Sequence, residues 1–171
     1  MRIFLTGFMG AGKSTVGRLL AARQGASFVD LDDEIERVTG KSIRQLFEEG
    51  GEALFRRIEA EVLGTLVRSL GETGVVATGG GTAAQPANLR FLKTHGLVVW
   101  LHPSFATLAA RIGEFGKADR PMFETESQAL ELYRSRLPAY RQADLEVKVA
   151  NDEAPEEVAA RISFLLQGRR A

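Results

Sequence analysis

Residues Gly7-Phe8-Met9-Gly10-Ala11-Gly12-Lys13-Ser14 match the pattern G-x-x-x-x-G-K-[ST] and fix how the first part of the chain must fold. An apolar run, Ile3-Phe4-Leu5, precedes them, and a helical pattern through Val16, Leu19 and Leu20 follows. A strand therefore delivers a glycine-rich loop to a helix N-terminus. There, unpaired backbone N–H groups and the positive end of the helix dipole can hold polyphosphate. Lys13 is expected to reach the β- and γ-phosphates, and the Ser14 hydroxyl to ligate Mg2+. A chance glycine-rich turn is the alternative, and the strand-loop-helix context speaks against it. The chain is read as a binder of a nucleoside triphosphate.

With 171 residues, one domain with a self-sufficient core is expected. A net charge of zero gives no general attraction to nucleic acid or membrane, so neither is expected as a partner. The chain has no cysteine, which excludes disulfides, thiolate metal sites and a thiol nucleophile. Its two histidines, His95 and His102, lack partners at metal spacing and are read as surface residues. No apolar run approaches the ~18 residues of a membrane span. The opening residues Met1 to Leu5 start like a signal peptide, but the glycine-rich loop interrupts them. A cytoplasmic location is expected.

Short β-rich runs alternate with helical patterns, as parallel βαβ units require. Strands are predicted at Arg2–Thr6, Ser27–Asp30, Val75–Thr78, Leu97–Leu101 and Leu145–Val149. Helices are predicted over Ser14–Gln24, Leu31–Val38, Ile43–Glu48, Ala53–Leu70, Ala87–Thr94, Phe105–Ile112, Ser127–Arg141 and Pro155–Leu166. Ser42 with Gln45 reads as a capping box, and Pro155 suits a first helical turn. The fold class is α/β: a three-layer, doubly wound, five-stranded parallel sheet that binds ligands at the carboxyl ends of its strands. The segment from Gly113 to Phe123 breaks the alternation with two glycines, a proline and several charges. It is read as a mobile lid over about 113–124.

The chemistry-bearing residues cluster at strand ends. Asp30 and Asp32 close the second strand; such a D-x-D pair can divide its work between Mg2+ and a hydroxyl nucleophile. A dipole-complementing helix start would also explain them. Arg56 and Glu59, three apart on a helix, form either a solvated ion pair or a rigid fork for a carboxylate. The sequence leaves both readings open. Gly79-Gly80-Gly81 follows the third strand, where a ligand approaches the backbone or an ordinary tight turn occurs. Arg111, Arg120 and Arg141 complete a scattered basic set. Arg120 falls in the lid as a candidate arginine finger, whereas Arg141, at a helix end, is also explained by the helix dipole.

Taken together, these features resemble shikimate kinase, a family of P-loop kinases. The matching residues are G-F-M-G-A-G-K-S-T at 7–15, V-D-L-D at 29–32, F-R-R-I-E at 55–59, T-G-G-G at 78–81, D-R-P-M at 119–122 and L-P-A-Y-R at 137–141. The resemblance implies an ATP- and Mg2+-dependent transfer of a phosphoryl group to the 3-hydroxyl of shikimate. It implies that Gly10, Ala11, Gly12, Lys13, Ser14, Thr15, Arg111 and Arg120 serve ATP, with Arg111 against adenine. Ser14 and Asp30 would serve the metal, while Lys13, Asp32 and Arg120 would carry the transfer. Asp32, Arg56, Gly80 and Arg141 would hold shikimate, Phe47 and Phe55 would wall its ring, and Glu59 would brace Arg56. The implied fold is nucleoside-monophosphate-kinase-like, with strand order 2-3-1-4-5, and a monomer is expected.

Two rivals remain at this stage. One is a kinase for gluconate or a nucleoside monophosphate, which shares the loop and lid but has no need of Arg56, Arg141 and Asp32 together. The other is a nucleotide-binding module without small-molecule chemistry. A guanine-reading N-K-x-D is missing from the sequence, its nearest match being Gly116-Lys117-Ala118-Asp119.

Overall fold

The computed structural model describes residues 1–114 and 125–168. Strand β1 (Arg2–Thr6) leads to helix α1 (Lys13–Gln24), then β2 (Phe28–Asp30), α2 (Leu31–Thr39) and α3 (Ile43–Ser69). Next come β3 (Gly74–Ala77), α4 (Pro86–His95), β4 (Leu97–Pro103), α5 (Phe105–Glu114), α6 (Glu126–Tyr140), β5 (Leu145–Val149) and α7 (Pro155–Gln167). The strands form one parallel sheet in the order β2-β3-β1-β4-β5. This is the order the resemblance implies; all five predicted strands are present.

β1 is central because both of its neighbours pair along its full apolar run, with Leu5 opposite Ala77 on one side and Val99 on the other. Alternation along the strand splits the core in two. Ile3 and Leu5 pack with Leu20, Val99, Leu101 and Ile162 on one face. Phe4 points to the other face and packs with Leu31, Ile35, Leu63, Val76 and Leu92. Both faces are therefore covered, as a parallel sheet requires.

Helix boundaries differ from the predicted ones where local chemistry favours continuation. The two helices predicted on either side of residues 49–52 are joined as α3 across a kink, where Gly50 and Gly51 leave helical geometry and Gly51 takes φ 65°. The capping box of Ser42 and Gln45 is present at the start of α3, and Pro155 opens α7. Phe55, Glu59, Val62, Leu63, Leu66 and Val67 are buried, while Leu54 and Ile58 are half-buried. A carboxylate thus lies on the inward face. Gly113 and Glu114, expected in the lid, end α5 as helix. The rest of the expected lid, Arg120 with it, lies outside the described residues.

Candidate active site

The carboxyl ends of β1, β2 and β3 converge on one open cavity of about 680 Å³. The loop after β1 supplies one wall. Gly10 and Gly12 take positive φ values of 78° and 88°, which side chains other than glycine rarely adopt. Gly12 is the N-cap of α1 and offers no side-chain cap, so the first N–H groups of the helix keep their anion-binding character. Lys13 Nζ donates to the carbonyls of Gly7 and Phe8 at 2.9 and 3.0 Å. That places its charge along the loop. Ser14 and Thr15 line the same wall. Ala11 lies beneath it, 2% exposed, with its N–H given to the Phe8 carbonyl.

β2 contributes the carboxylates. Asp30 caps α2 by accepting from the Asp32 N–H at 3.0 Å, and its second oxygen accepts from Ser14 Oγ at 2.5 Å. Two hard oxygen donors thus meet beside the phosphate loop. Asp32 opens onto the cavity. Burial, with the adjacent charge of Asp30, pushes its carboxyl up from 3.8 to about 6, against the opposing pull of Lys13.

Another part of the cavity lining is cationic. Arg56 is fixed on both sides: Nη1 donates to Glu59 at 2.9 Å, and Nη2 lies 3.1 Å from Glu52. Glu59 is fully buried, and it also accepts from Thr82 Oγ1 at 2.6 Å and Asn88 Nδ2 at 3.5 Å. A buried carboxylate with this many donors holds the guanidinium rigidly. The solvated-pair alternative for Arg56 and Glu59 therefore fails. Phe47 and Phe55 stack at 4.8 Å between ring centres, and the Arg56 guanidinium lies 5.1 Å from the Phe55 ring. Together they make an apolar floor beside the charge.

The second arginine is Arg136. It is 4% exposed and lines the cavity. A Cβ on Gly81 would sit 2.3 Å from Arg56 Nη2 and 3.0 Å from Arg136 Nη2, so the two forks converge over that glycine. The Gly79-Gly80-Gly81 run is required by close approach, though of protein side chains in the first place. Gly79 likewise leaves space for Asp32, whose Oδ1 would lie 2.9 Å from an added Cβ. Burial lowers the Arg136 pKa, Tyr140 opposes that, and the like charge of Arg56 adds to it. Two desolvated guanidinium groups side by side favour an anion between them.

Four expected positions need correction or restatement. Arg141 is exposed at the C-cap of α6 and does not line the cavity. On a helix, residues 129, 133, 136 and 140 share one buried face, and Arg141 falls off it. A charge on the buried stripe Ala129, Tyr133, Arg136, Tyr140 was the sequence signal that would have found Arg136. Arg111 stands outside the cavity wall and donates from Nη1 to the Gly10 carbonyl at 3.0 Å, so it braces the back of the loop. His95 and His102 are partly exposed. His102 contacts Glu146 at 2.7 Å and Tyr133 at 3.0 Å, away from the cavity.

The family model for shikimate kinase matches residues 9–167. The chain belongs to the shikimate kinase family. A shikimate kinase of Thermosynechococcus vestitus is 42% identical over 163 residues, covering 94% of this chain and 86% of that protein. The solved structure of shikimate kinase from Acinetobacter baumannii in complex with shikimate has a TM-score of 0.91 at 38% identity, covering 99% of this chain and 94% of that one. Shikimate kinase from Aquifex aeolicus gives 0.84 at 38% identity, over 99% and 98% of the two chains. As a shikimate kinase family member the chain is an enzyme, with ATP as phosphate donor. Among the described residues no helix is long and apolar enough to cross a membrane.

Proposed function

We propose that this enzyme transfers the γ-phosphoryl of ATP to the 3-hydroxyl of shikimate, giving shikimate 3-phosphate and ADP. The observation that carries the reading is the convergence of Arg56 and Arg136 over Gly81, in the same cavity that the Lys13–Ser14 phosphate loop lines. Shikimate is a cyclic polyol with one carboxylate. An acid of that kind needs a rigid cationic fork at one end and hydroxyl acceptors at the other. Gluconate, an open-chain acid, and nucleoside monophosphates, whose charge is on a phosphate, fit the arrangement less well.

In this reading the carboxylate sits between Arg56 and Arg136, and Phe47 and Phe55 support the ring. Asp32 accepts from the reacting hydroxyl. Its raised pKa suits a group that takes a proton near neutral pH. Lys13 and the N–H groups of Gly10, Gly12, Ser14 and Thr15 hold the phosphates and neutralise charge developing on the transferred group. Arg120 keeps the lid role that the resemblance implies, and Arg111 contributes to the nucleotide side through its bond to the Gly10 carbonyl. Phosphoryl transfer needs little covalent help, so positioning and charge supply most of the rate.

Ser14 and Asp30 fit Mg2+, which is held by one or two protein oxygens together with substrate phosphates. Bound there, the ion would neutralise charge on the phosphate oxygens. The proposal extends to one catalytic domain acting as a monomer in the cytoplasm. The test is turnover with Mg-ATP across a panel of shikimate, gluconate and nucleoside monophosphates, read by ADP release. Shikimate is expected to be the acceptor. Turnover of another acceptor with none of shikimate would refute the reading.

A further inference from the structure

Tyr140 is wholly buried at the end of α6, and none of the roles above uses it. Its hydroxyl donates to the Gly80 carbonyl at 2.5 Å, and its oxygen lies near enough to the Arg136 guanidinium to favour the charge there. A phenol has a single proton. With that proton given to Gly80, the oxygen has only lone pairs left to turn towards Arg136. Arg136 and Tyr140 are four apart on one helix, so both project from the same face. The Trp100 ring, 5.8 Å away and tilted by 31°, packs against the phenol. Burial pushes the phenol up to about 12, so the proton stays on at any working pH.

We infer that Tyr140 is a positioning residue for the substrate carboxylate, acting through Arg136 and the Gly80–Gly81 peptide. The two interactions have different consequences. Lone pairs turned towards Arg136 favour keeping the guanidinium over Gly81, where it meets Arg56. Donating to the Gly80 carbonyl fixes that peptide plane, which turns the N–H of Gly81 to the opposite side because the peptide is trans. One hydroxyl thereby aligns a cation and a stretch of backbone that face the same ligand group. A fork held in place in advance loses less freedom on binding, which shows as affinity for the anion and not as a faster transfer.

The inference rests on the proposed function, and its test separates the two. Tyr140→Phe removes one oxygen and keeps the ring. The variant and the parent are compared for kcat and KM with shikimate, with ATP, and with the methyl ester of shikimate, in which the negative charge is gone. Tyr140→Phe is expected to raise the shikimate KM about tenfold and to change kcat and the ATP KM less than about twofold. On the ester the two enzymes should be equally poor. On an Arg136→Lys background the same change should add less than about twofold, because its route is already cut.

Equal losses on acid and ester would overturn the inference, as would a fall in kcat at constant KM. A Tyr140→Phe chain that fails to fold, read by circular dichroism, would also overturn it in favour of a purely structural hydroxyl. Turnover of shikimate by the parent with an unshifted KM in Tyr140→Phe would sink the inference alone. No turnover of shikimate by the parent would sink the proposed function and the inference together.

Discussion

Asp30 and Ser14 meet at 2.5 Å, with Asp30 Oδ2 accepting from the Ser14 hydroxyl while Oδ1 caps helix α2. The carboxylate therefore has two roles with different chemical demands. Capping needs an acceptor and no charge; holding a divalent ion needs the charge. Asp30→Asn is expected to keep the helix start and to raise the Mg2+ concentration needed for half-maximal rate. Asp30→Ala should lose both, with about 1 kcal/mol of stability from the missing cap. Thermal unfolding beside a Mg2+ titration of the rate separates the two effects. Equal Mg2+ dependence in Asp30→Asn and the parent would remove Asp30 from the metal site.

Asp32 should make stability and activity run in opposite directions with pH. Its carboxyl titrates near 3.8 when unfolded and near 6 when folded. Between those values the folded chain binds more proton, so stability falls as pH rises and levels off above about 6. The full penalty is on the order of 3 kcal/mol at neutral pH. Asp32→Asn should therefore be the more stable protein at pH 7, with the two converging near pH 4. It should also be much slower and lack the acid limb near pH 6 in kcat/KM. Denaturant unfolding at both pH values, with a pH–rate profile, checks this. A variant less stable at pH 7 would contradict it.

Arg136 and Arg141 are five residues apart and should behave differently. Arg136→Ala should cost about 2–4 kcal/mol of shikimate binding, seen as a raised KM with ATP little affected. Arg141→Ala, at an exposed helix end, should stay close to the parent. Steady-state kinetics on both variants decides the matter. The reverse ranking would restore Arg141 to the substrate.

Gly81→Ala tests the convergence without touching a charge. Its methyl would fall 2.3 Å from Arg56 Nη2, and flexible side chains can yield where backbone cannot. The variant should fold, displace the fork and raise the shikimate KM at least about tenfold. Unaltered binding would mean that the guanidinium groups do not act where they converge.

How much of this was legible in the residues varies with the type of signal. The phosphate loop is local: sequence spacing, backbone geometry and function coincide in the residues from Gly7 to Ser14, so it reads directly. Strands alternate visibly with helices, but strand order depends on which edges pair, and no periodicity encodes that; the order came from the resemblance. The arginines show the intermediate case. Arg141 closes a recognisable motif, whereas Arg136 looks like one more charge on a helix until its position on the buried stripe with Tyr133 and Tyr140 is counted. Glu59 was legible as the partner of Arg56. Its bonds to Thr82 and Asn88 come from chain segments more than 20 residues away and could not be read.

The most direct test is a crystal structure with shikimate and a non-hydrolysable ATP analogue bound together. The carboxylate should lie between Arg56 and Arg136, with the 3-hydroxyl turned to Asp32 and the terminal phosphate beside Lys13. Shikimate bound with its carboxylate away from both arginines, or its 3-hydroxyl facing away from the phosphate, would contradict the account.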